Sequence, residues 1–270
     1  MNKENLIEIS KELRQDIIQM INKAGSGHPG GSLSVIDILT YLYFEKMNVD
    51  VKNPKADDRD RFVLSKGHAA PALYATLAKK GFFDKEELNN LRVLGSILQG
   101  HPDAKKCPGV DISTGSLGQG MSNACGVALG YKMNKSNSRI YVVLGDGEIQ
   151  EGIVWEAMMA ANKYKLDNLV AIIDNNGIQL DGRTSEIMPN GNLKGRIENF
   201  GWNVVECDGH DFGDLEKAFD NAESTKNKPT CIIANTIKGK GVSFMEDNVA
   251  WHGAAPNVDQ TKQAIEEIIG

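Results

Sequence analysis

The chain has 270 residues, 41% of them apolar and 24% charged, and carries a net charge of −6 at pH 7. That balance fits one large α/β domain, or two small ones, with a real hydrophobic core, and the acidic surplus argues against a general nucleic-acid or anionic-membrane binder. No apolar run approaches the ~18 residues of a membrane-spanning helix, and the charged opening Met1-Asn2-Lys3-Glu4-Asn5 does not resemble a secretion signal, so the expected location is cytoplasmic.

Leu6, Ile9, Leu13, Ile17, Met20 and Ile21 recur at helical spacing and predict a docking helix over residues 4–23. Gly25, Gly27, Gly30 and Gly31 then surround His28 and Pro29, which predicts an irregular loop able to approach a ligand closely. A second helix is expected from about Ser34, carrying Ile36, Ile38, Leu39, Leu42 and Phe44. Arg61 to Ser65 reads as a short strand, with Lys66-Gly67-His68 at its carboxyl end and a helix from about Ala69. Asp84 is placed to cap a helix through Glu86, Glu87 and Leu91. Gln99-Gly100-His101-Pro102 puts another histidine in a turn. Ser113 to Gly120 is glycine-rich and opens a helix through Ala124, Val127, Ala128 and Tyr131.

The central stretch runs from Arg139 to Asn176. An apolar, β-branched run ends at Gly145-Asp146-Gly147, and Ile149, Ile153, Ala157 and Ala160 then mark one helical face between Glu148 and Leu166. Leu169 to Ile173 is a second buried run, closing in Asp174-Asn175-Asn176. Strand, helix, strand is a βαβ unit with an expected right-handed crossover. It brings Asp146 and Asn176 side by side at the strand ends, where open parallel sheets bind ligands. A carboxylate and an amide oxygen are hard ligands suited to Mg²⁺ or Ca²⁺. The glycines flanking Asp146 and the helix N-terminus after Gly147 suit a phosphate. Gly-Asp-Gly alone is an ordinary turn; its pairing with Asn175-Asn176 favours a diphosphate clamped by a divalent cation.

Beyond Asn175 a long polar loop is expected to Asn192, then a helix from Leu193 to Phe200 and a strand from Trp202 to Cys207. His210, in Asp208-Gly209-His210-Asp211, reads as structural. A helix around Leu215, Ala218 and Phe219 precedes a buried strand, Pro229 to Thr236, and the basic loop Lys238-Gly239-Lys240-Gly241. Trp251-His252-Gly253 leads to a last amphipathic helix, Asp259 to Ile269. Cys107, Cys125, Cys207 and Cys231 show neither C-x-x-C pairing nor zinc spacing and read as plain thiols. Roughly five strands alternating with helices predict a doubly wound, mostly parallel α/β sheet with its chemistry along one edge.

The motifs together carry a resemblance. Gly145-Asp146-Gly147 followed by Asn175-Asn176 resembles the signature of thiamine diphosphate enzymes. Ser26-Gly27-His28-Pro29-Gly30, Leu64-Ser65-Lys66-Gly67-His68-Ala69, Gly100-His101-Pro102, Thr114-Gly115-Ser116-Leu117-Gly118-Gln119-Gly120 and Trp251-His252-Gly253 look, in that order, like those of transketolase, specifically its N-terminal, diphosphate-binding part. The resemblance covers residues 10 to 256.

It implies a thiamine diphosphate-binding fold and roles for matching positions. Asp146, Asn176 and the backbone carbonyl of Ile178 would hold Mg²⁺, or Ca²⁺. His28, His101 and His252 would line the substrate channel, with His68 and His252 near the diphosphate or the reacting carbon. Gly115 and Leu117 would touch the cofactor, in a turn where Ser116 replaces a common proline. Gly147 would approach the diphosphate, and Lys66 and Lys238 match lysines placed near it in some members. Glu151 matches an acidic residue that lies toward the subunit interface and completes the cofactor-binding set.

The implied reaction moves a two-carbon ketol unit from a ketose to an aldose, by default among pentose-pathway sugar phosphates. The family continues into pyrimidine-binding and C-terminal domains, whereas this sequence reads as one diphosphate-binding domain over residues 1–270. A partner chain is therefore expected to supply the glutamate that activates the cofactor and the basic residues that hold the substrate phosphate, in an α₂β₂ assembly. The alternatives are a non-catalytic thiamine diphosphate-binding module and the α subunit of a 2-oxo-acid dehydrogenase. A bare nucleotide-binding fold is disfavoured, because no G-x-G-x-x-G follows any strand.

Overall fold

Alternation along the apolar runs divides the molecule into two cores. In β2 (Ile140–Gly145), Ile140, Val142 and Leu144 join one buried cluster while Tyr141 and Val143 join the other. In β3 (Leu169–Asn175), Leu169, Ala171 and Ile173 face the first side, and Val170 and Ile172 the second. Successive strand residues point to opposite faces, so a run buried throughout is a strand covered on both sides. The computed structural model describes residues 1–270 and shows that arrangement for the central strands.

The elements follow in order as α1 (Lys3–Ala24), α2 (Pro29–Tyr41), β1 (Arg61–Leu64), α3 (Ala70–Lys80), α4 (Gln119–Met133), β2, α5 (Gly152–Lys163) and β3. After these come β4 (Ile178–Gln179), β5 (Gly182–Arg183), α6 (Thr184–Ile187), α7 (Leu193–Asn199), β6 (Asn203–Asp208), α8 (Phe212–Ser224), β7 (Thr230–Asn235) and α9 (Val258–Ile269). Five strands form one parallel sheet in the order β1-β2-β3-β7-β6. The doubly wound α/β architecture expected from the sequence is the one observed. Strand order advances from β1 to β3, then reverses from β6 to β7. The reversal falls between β3 and β7, where open sheets form a crevice at the strand ends.

Local structure departs from the sequence reading in four places. The glycine-rich stretch after His28 is not a loop: α2 begins at Pro29 and takes in Gly30, Gly31 and Ser32. Proline at the first helical position is preorganised for that turn. The segment after Gly147 is split into a 3₁₀ turn, Glu148–Gln150, and α5. Asp84 does cap the turn after it, accepting from the Glu86 amide at 3.0 Å, but that turn is 3₁₀. The polar stretch 175–192 contains the β4–β5 hairpin and the short helix α6.

Candidate functional site

Polar groups at the carboxyl ends of four strands meet in one cleft of about 330 Å³. Lys66 and His68 follow β1, Asp146 follows β2, Asn176 and Ile178 follow β3, and Lys238 follows β7. His28, the residue preceding α2, and Gly115 and Leu117, just before α4, bring two helix N-termini to the same place, a favourable setting for an anion. His101, Gly147, Glu151 and His252 also line the cleft. Of the residues expected at the site, Ser116 alone does not line the cleft: its side chain is exposed.

Close backbone approach explains two glycines. A Cβ on Gly115 would lie 3.2 Å from the His101 ring, and one on Gly147 would lie 2.8 Å from the Gln179 side chain. Any larger residue would push into the cleft wall.

Three imidazoles pack against each other. His28 lies 5.3 Å from His68 and 5.4 Å from His252, centroid to centroid, and His68 lies 5.4 Å from His252. Burial, reinforced by Arg92, lowers His28 to about 4. Burial and then Lys238 lower His252 to about 3. His68 is pushed well down by burial and Lys66, and His101 down by burial and Arg92. At neutral pH all four rings are uncharged, the form that can accept a proton or donate a single hydrogen bond.

Two lysines are buried beneath them. Lys66, 1% exposed, donates to the Gly31 carbonyl at 2.9 Å and pairs with Asp174. Lys238, 2% exposed, donates to the Ile178 carbonyl at 3.1 Å and contacts His252 Nδ1 at 2.8 Å. Its own value is lowered to about 8 by burial and by Lys66.

Asp146 is a buried carboxylate without a cationic partner, unlike the neighbouring Asp174 with its bound Lys66. It is 2% exposed and accepts from Gly177 N at 2.8 Å, Thr184 Oγ1 at 2.7 Å and Gly147 N at 3.1 Å, but no cation pairs with it. Burial pushes its carboxyl up. A buried anion without a counterion is costly, and a divalent cation would relieve that cost. Asn176 turns its amide nitrogen to Asp174 at 3.2 Å, and its Oδ1, on the other side, accepts from the Ile178 amide at 3.2 Å with a second lone pair still to offer. The Ile178 carbonyl already accepts from Lys238, yet a carbonyl has a second lone pair to offer. Nowhere do three His, Cys, Asp or Glu side chains cluster for a metal. The donor set of one carboxylate, one amide and one carbonyl oxygen therefore fits Mg²⁺ or Ca²⁺ and not zinc.

Asp174 and Glu148 are given no role at the site by the sequence reading. Asp174 is fully buried and gathers Ser34 Oγ at 2.5 Å, Lys66, Thr236 and Asn176. Burial alone would raise its carboxyl, but Lys66 with the hydrogen bonds from Ser34 and Thr236 holds it below the ordinary value. Glu148 accepts from Ser65, from Gly118 N at 2.8 Å and from Gly145 N at 3.0 Å, tying three cleft segments together. The available signal was position: each acid immediately follows a buried run or its terminal turn. The four cysteines are buried free thiols, and His210 lies outside the cleft, bonded to Asp37.

Fold and cleft together define a cofactor-binding, doubly wound α/β protein with a phosphate- and cation-compatible edge. Residues 4–269 match the family model described as transketolase, thiamine diphosphate binding domain. One of the apulose-4-phosphate transketolase subunits, that of Phocaeicola vulgatus, is 44% identical over 268 residues, covering 99% of this chain and 95% of that protein. The 6-deoxy-6-sulfo-D-fructose transketolase subunit SqwG of a Clostridium species is 44% identical over 256 residues, covering 95% and 93%. The transketolase of Campylobacter jejuni superposes with a TM-score of 0.94 at 38% identity; the match spans 99% of this chain and 43% of that one. The chain belongs to the transketolase family. It is the thiamine diphosphate-binding part of a ketol-transferring enzyme, equal in extent to the two relatives that are themselves named as transketolase subunits. No helix is long and apolar enough to cross a membrane.

Proposed function

We propose that this chain acts as the N-terminal subunit of a two-chain transketolase, moving a two-carbon ketol unit from a ketose donor to an aldose acceptor with thiamine diphosphate and Mg²⁺. The observation that carries this reading is the neutral His28–His68–His252 cluster standing over two buried lysines and beside the unpaired Asp146. Asp146, Asn176 and Ile178 would hold the cation. Gly115, Leu117, Gly147, Lys66, His68 and Lys238 would hold the cofactor, with Glu151 at the rim and Ser116 outside. Thiamine diphosphate supplies the nucleophilic carbon and the electron sink. His28, His101 and His252 would meet the sugar carbonyl and hydroxyls, passing protons at neutral pH and stabilising oxygen as it gains charge. Wrapped by a partner, the cleft would also exclude water.

That partner would contribute the pyrimidine-binding and C-terminal domains, in an α₂β₂ assembly in the cytoplasm, and residues 1–270 would be a single diphosphate-binding domain. The donor and acceptor are sugars of the pentose-phosphate type or relatives with another anionic end, since similar subunits are named for apulose 4-phosphate and a sulfofructose. The test is co-expression with the adjacent partner reading frame, followed by a donor–acceptor screen with phosphorylated and sulfonated ketoses. Ketol transfer by the pair, with little by the isolated chain, is expected. Full turnover by the isolated chain would overturn the two-chain reading, and none by the pair on any ketose would overturn the enzymatic one.

A further inference from the structure

Two of the histidines make hydrogen bonds at a ring nitrogen that settle which nitrogen carries the proton, and they settle it in opposite senses. His210 accepts the Ile237 amide at Nε2, 2.9 Å away, and meets Asp37 Oδ2 at Nδ1, 2.7 Å away. A backbone N–H can only donate, so Nε2 is bare and the proton sits on Nδ1. His252 is the reverse. Its Nδ1 faces Lys238 Nζ at 2.8 Å, and the same Nζ donates to the Ile178 carbonyl at 3.1 Å. An amine held between a carbonyl and a ring nitrogen supplies a hydrogen to each.

We infer that Lys238 is a positioning residue that fixes His252 as the Nε2–H tautomer, so that His252 offers the cleft a hydrogen-bond donor. Nδ1 is then occupied as an acceptor, and Nε2, across the ring, carries the only proton. Under the ketol-transfer reading, on which this consequence rests, His252 donates to a substrate oxygen and stabilises charge growing there, and it does not remove a proton in that state. Proton removal falls to a ring without such a lock. His28 is one such ring: its Nδ1 is buried and bonded to nothing. The cluster would thus divide its labour, a fixed donor at His252 beside an adaptable imidazole at His28.

The experiment is long-range ¹H–¹⁵N correlation NMR on the full chain with ¹⁵N-labelled histidine, His252→Gln serving to assign the His252 signals. The expected wild-type result is Nε2–H alone on His252 and Nδ1–H alone on His210. Lys238→Met should release His252 to a mixture or to Nδ1–H, while Lys238→Arg, which keeps a donor, should retain Nε2–H. His210, bonded to Asp37 and to the Ile237 backbone amide and not to the Lys238 side chain, reports in each variant that the neighbouring backbone is intact. Nδ1–H on His252 in the wild type would overturn the inference. So would an unchanged His252 pattern in Lys238→Met with His210 intact. Should Lys238→Met lose the His210 signature, the wild type and Lys238→Arg decide. None of these readings needs substrate, so a chain that fails the sugar screen with its partner would count against the proposed function and leave the tautomer assignment standing.

Discussion

The amide nitrogen of Asn176 donates to Asp174 Oδ2 at 3.2 Å while its Oδ1 accepts from the Ile178 amide at 3.2 Å, and these two bonds together set which end of the amide faces which way. An Asn side chain can present either oxygen or nitrogen. With a fully buried carboxylate behind it, the nitrogen is drawn inward, and Oδ1 keeps one lone pair for a metal beside the bond from the Ile178 amide. The same carboxylate holds Lys66 and Ser34, so one strand-end acid aligns two faces of the cleft.

Asp174→Asn removes that preference and the Lys66 counterion together. Outer-shell partners of metal ligands typically contribute about 10–100-fold in affinity. We expect Mg²⁺ affinity, titrated calorimetrically with thiamine diphosphate present, to fall by about that factor. Unchanged affinity would mean that the Ile178 amide on Oδ1 suffices to orient Asn176.

The sheet is legible in the sequence because its central strands are buried on both faces. Ile140 to Leu144 and Leu169 to Ile173 are short, continuous β-branched and apolar runs closed by turn residues, a length and composition that favour strand over helix. Asp146, Asn176, Lys66 and Lys238 are legible as strand-end residues for the same reason. The start of α2 is not, since glycine density normally signals a loop, and here glycines serve helix packing against the segment carrying Lys238 and Trp251. The roles of Asp174 and Glu148 are not legible either. Their partners, Ser34 and Lys66 in one case and Ser65 and Gly118 in the other, come from distant segments that only the folded chain brings close.

Gly30 is a direct consequence of that packing. A Cβ there would stand 2.8 Å from the Trp251 carbonyl and 3.0 Å from Lys238 Cγ. Gly30→Ala should therefore destabilise by about 1–3 kcal/mol, the usual cost of overpacking, and weaken cofactor binding by displacing the segment with Lys238 and His252. Gly130, inside α4, has nothing within 4 Å of its added Cβ. Gly130→Ala should stabilise by about 0.5–1 kcal/mol through helix propensity. Urea melts of both variants check the opposite signs.

The histidine cluster makes stability depend on pH in a defined window. His28 and His252 have folded values of about 4 and about 3 against an ordinary value of 6.5. Values depressed by folding mean stability fully present above the ordinary value and lost as pH falls toward the folded ones. The denaturation midpoint should therefore begin to drop just above pH 6.5 and go on dropping toward about pH 4. Asp146 and Glu148, whose carboxyls burial pushes up, act in the opposite sense. The comparison that isolates the rings is the double variant His28→Gln, His252→Gln, which should flatten the drop; an equally steep profile would place its origin elsewhere.

Lys238 is also held from a distance. Asp37, buried in α2, receives both Nη1 and Nη2 of Arg14 at 2.9 and 2.6 Å and faces His210 Nδ1 at 2.7 Å. Arg14 Nε reaches the Lys240 carbonyl at 3.1 Å, and His210 Nε2 takes the Ile237 amide. The network therefore grips the chain on both sides of Lys238. Burial opposes the Asp37 charge, but Arg14 and His210 lower its carboxyl to about 2. Asp37→Ala strands a guanidinium that is only 8% exposed, and such orphaned buried charges cost about 3–5 kcal/mol. The loss should appear in urea denaturation, and cofactor affinity should fall under conditions where the variant is still folded, because the lysine's tether has slackened. Replacing both charges, as Asp37→Leu with Arg14→Met, should recover most of the stability. It should not recover cofactor affinity, since the bond to Lys240 would still be missing; recovery of both would show that the pair serves stability alone.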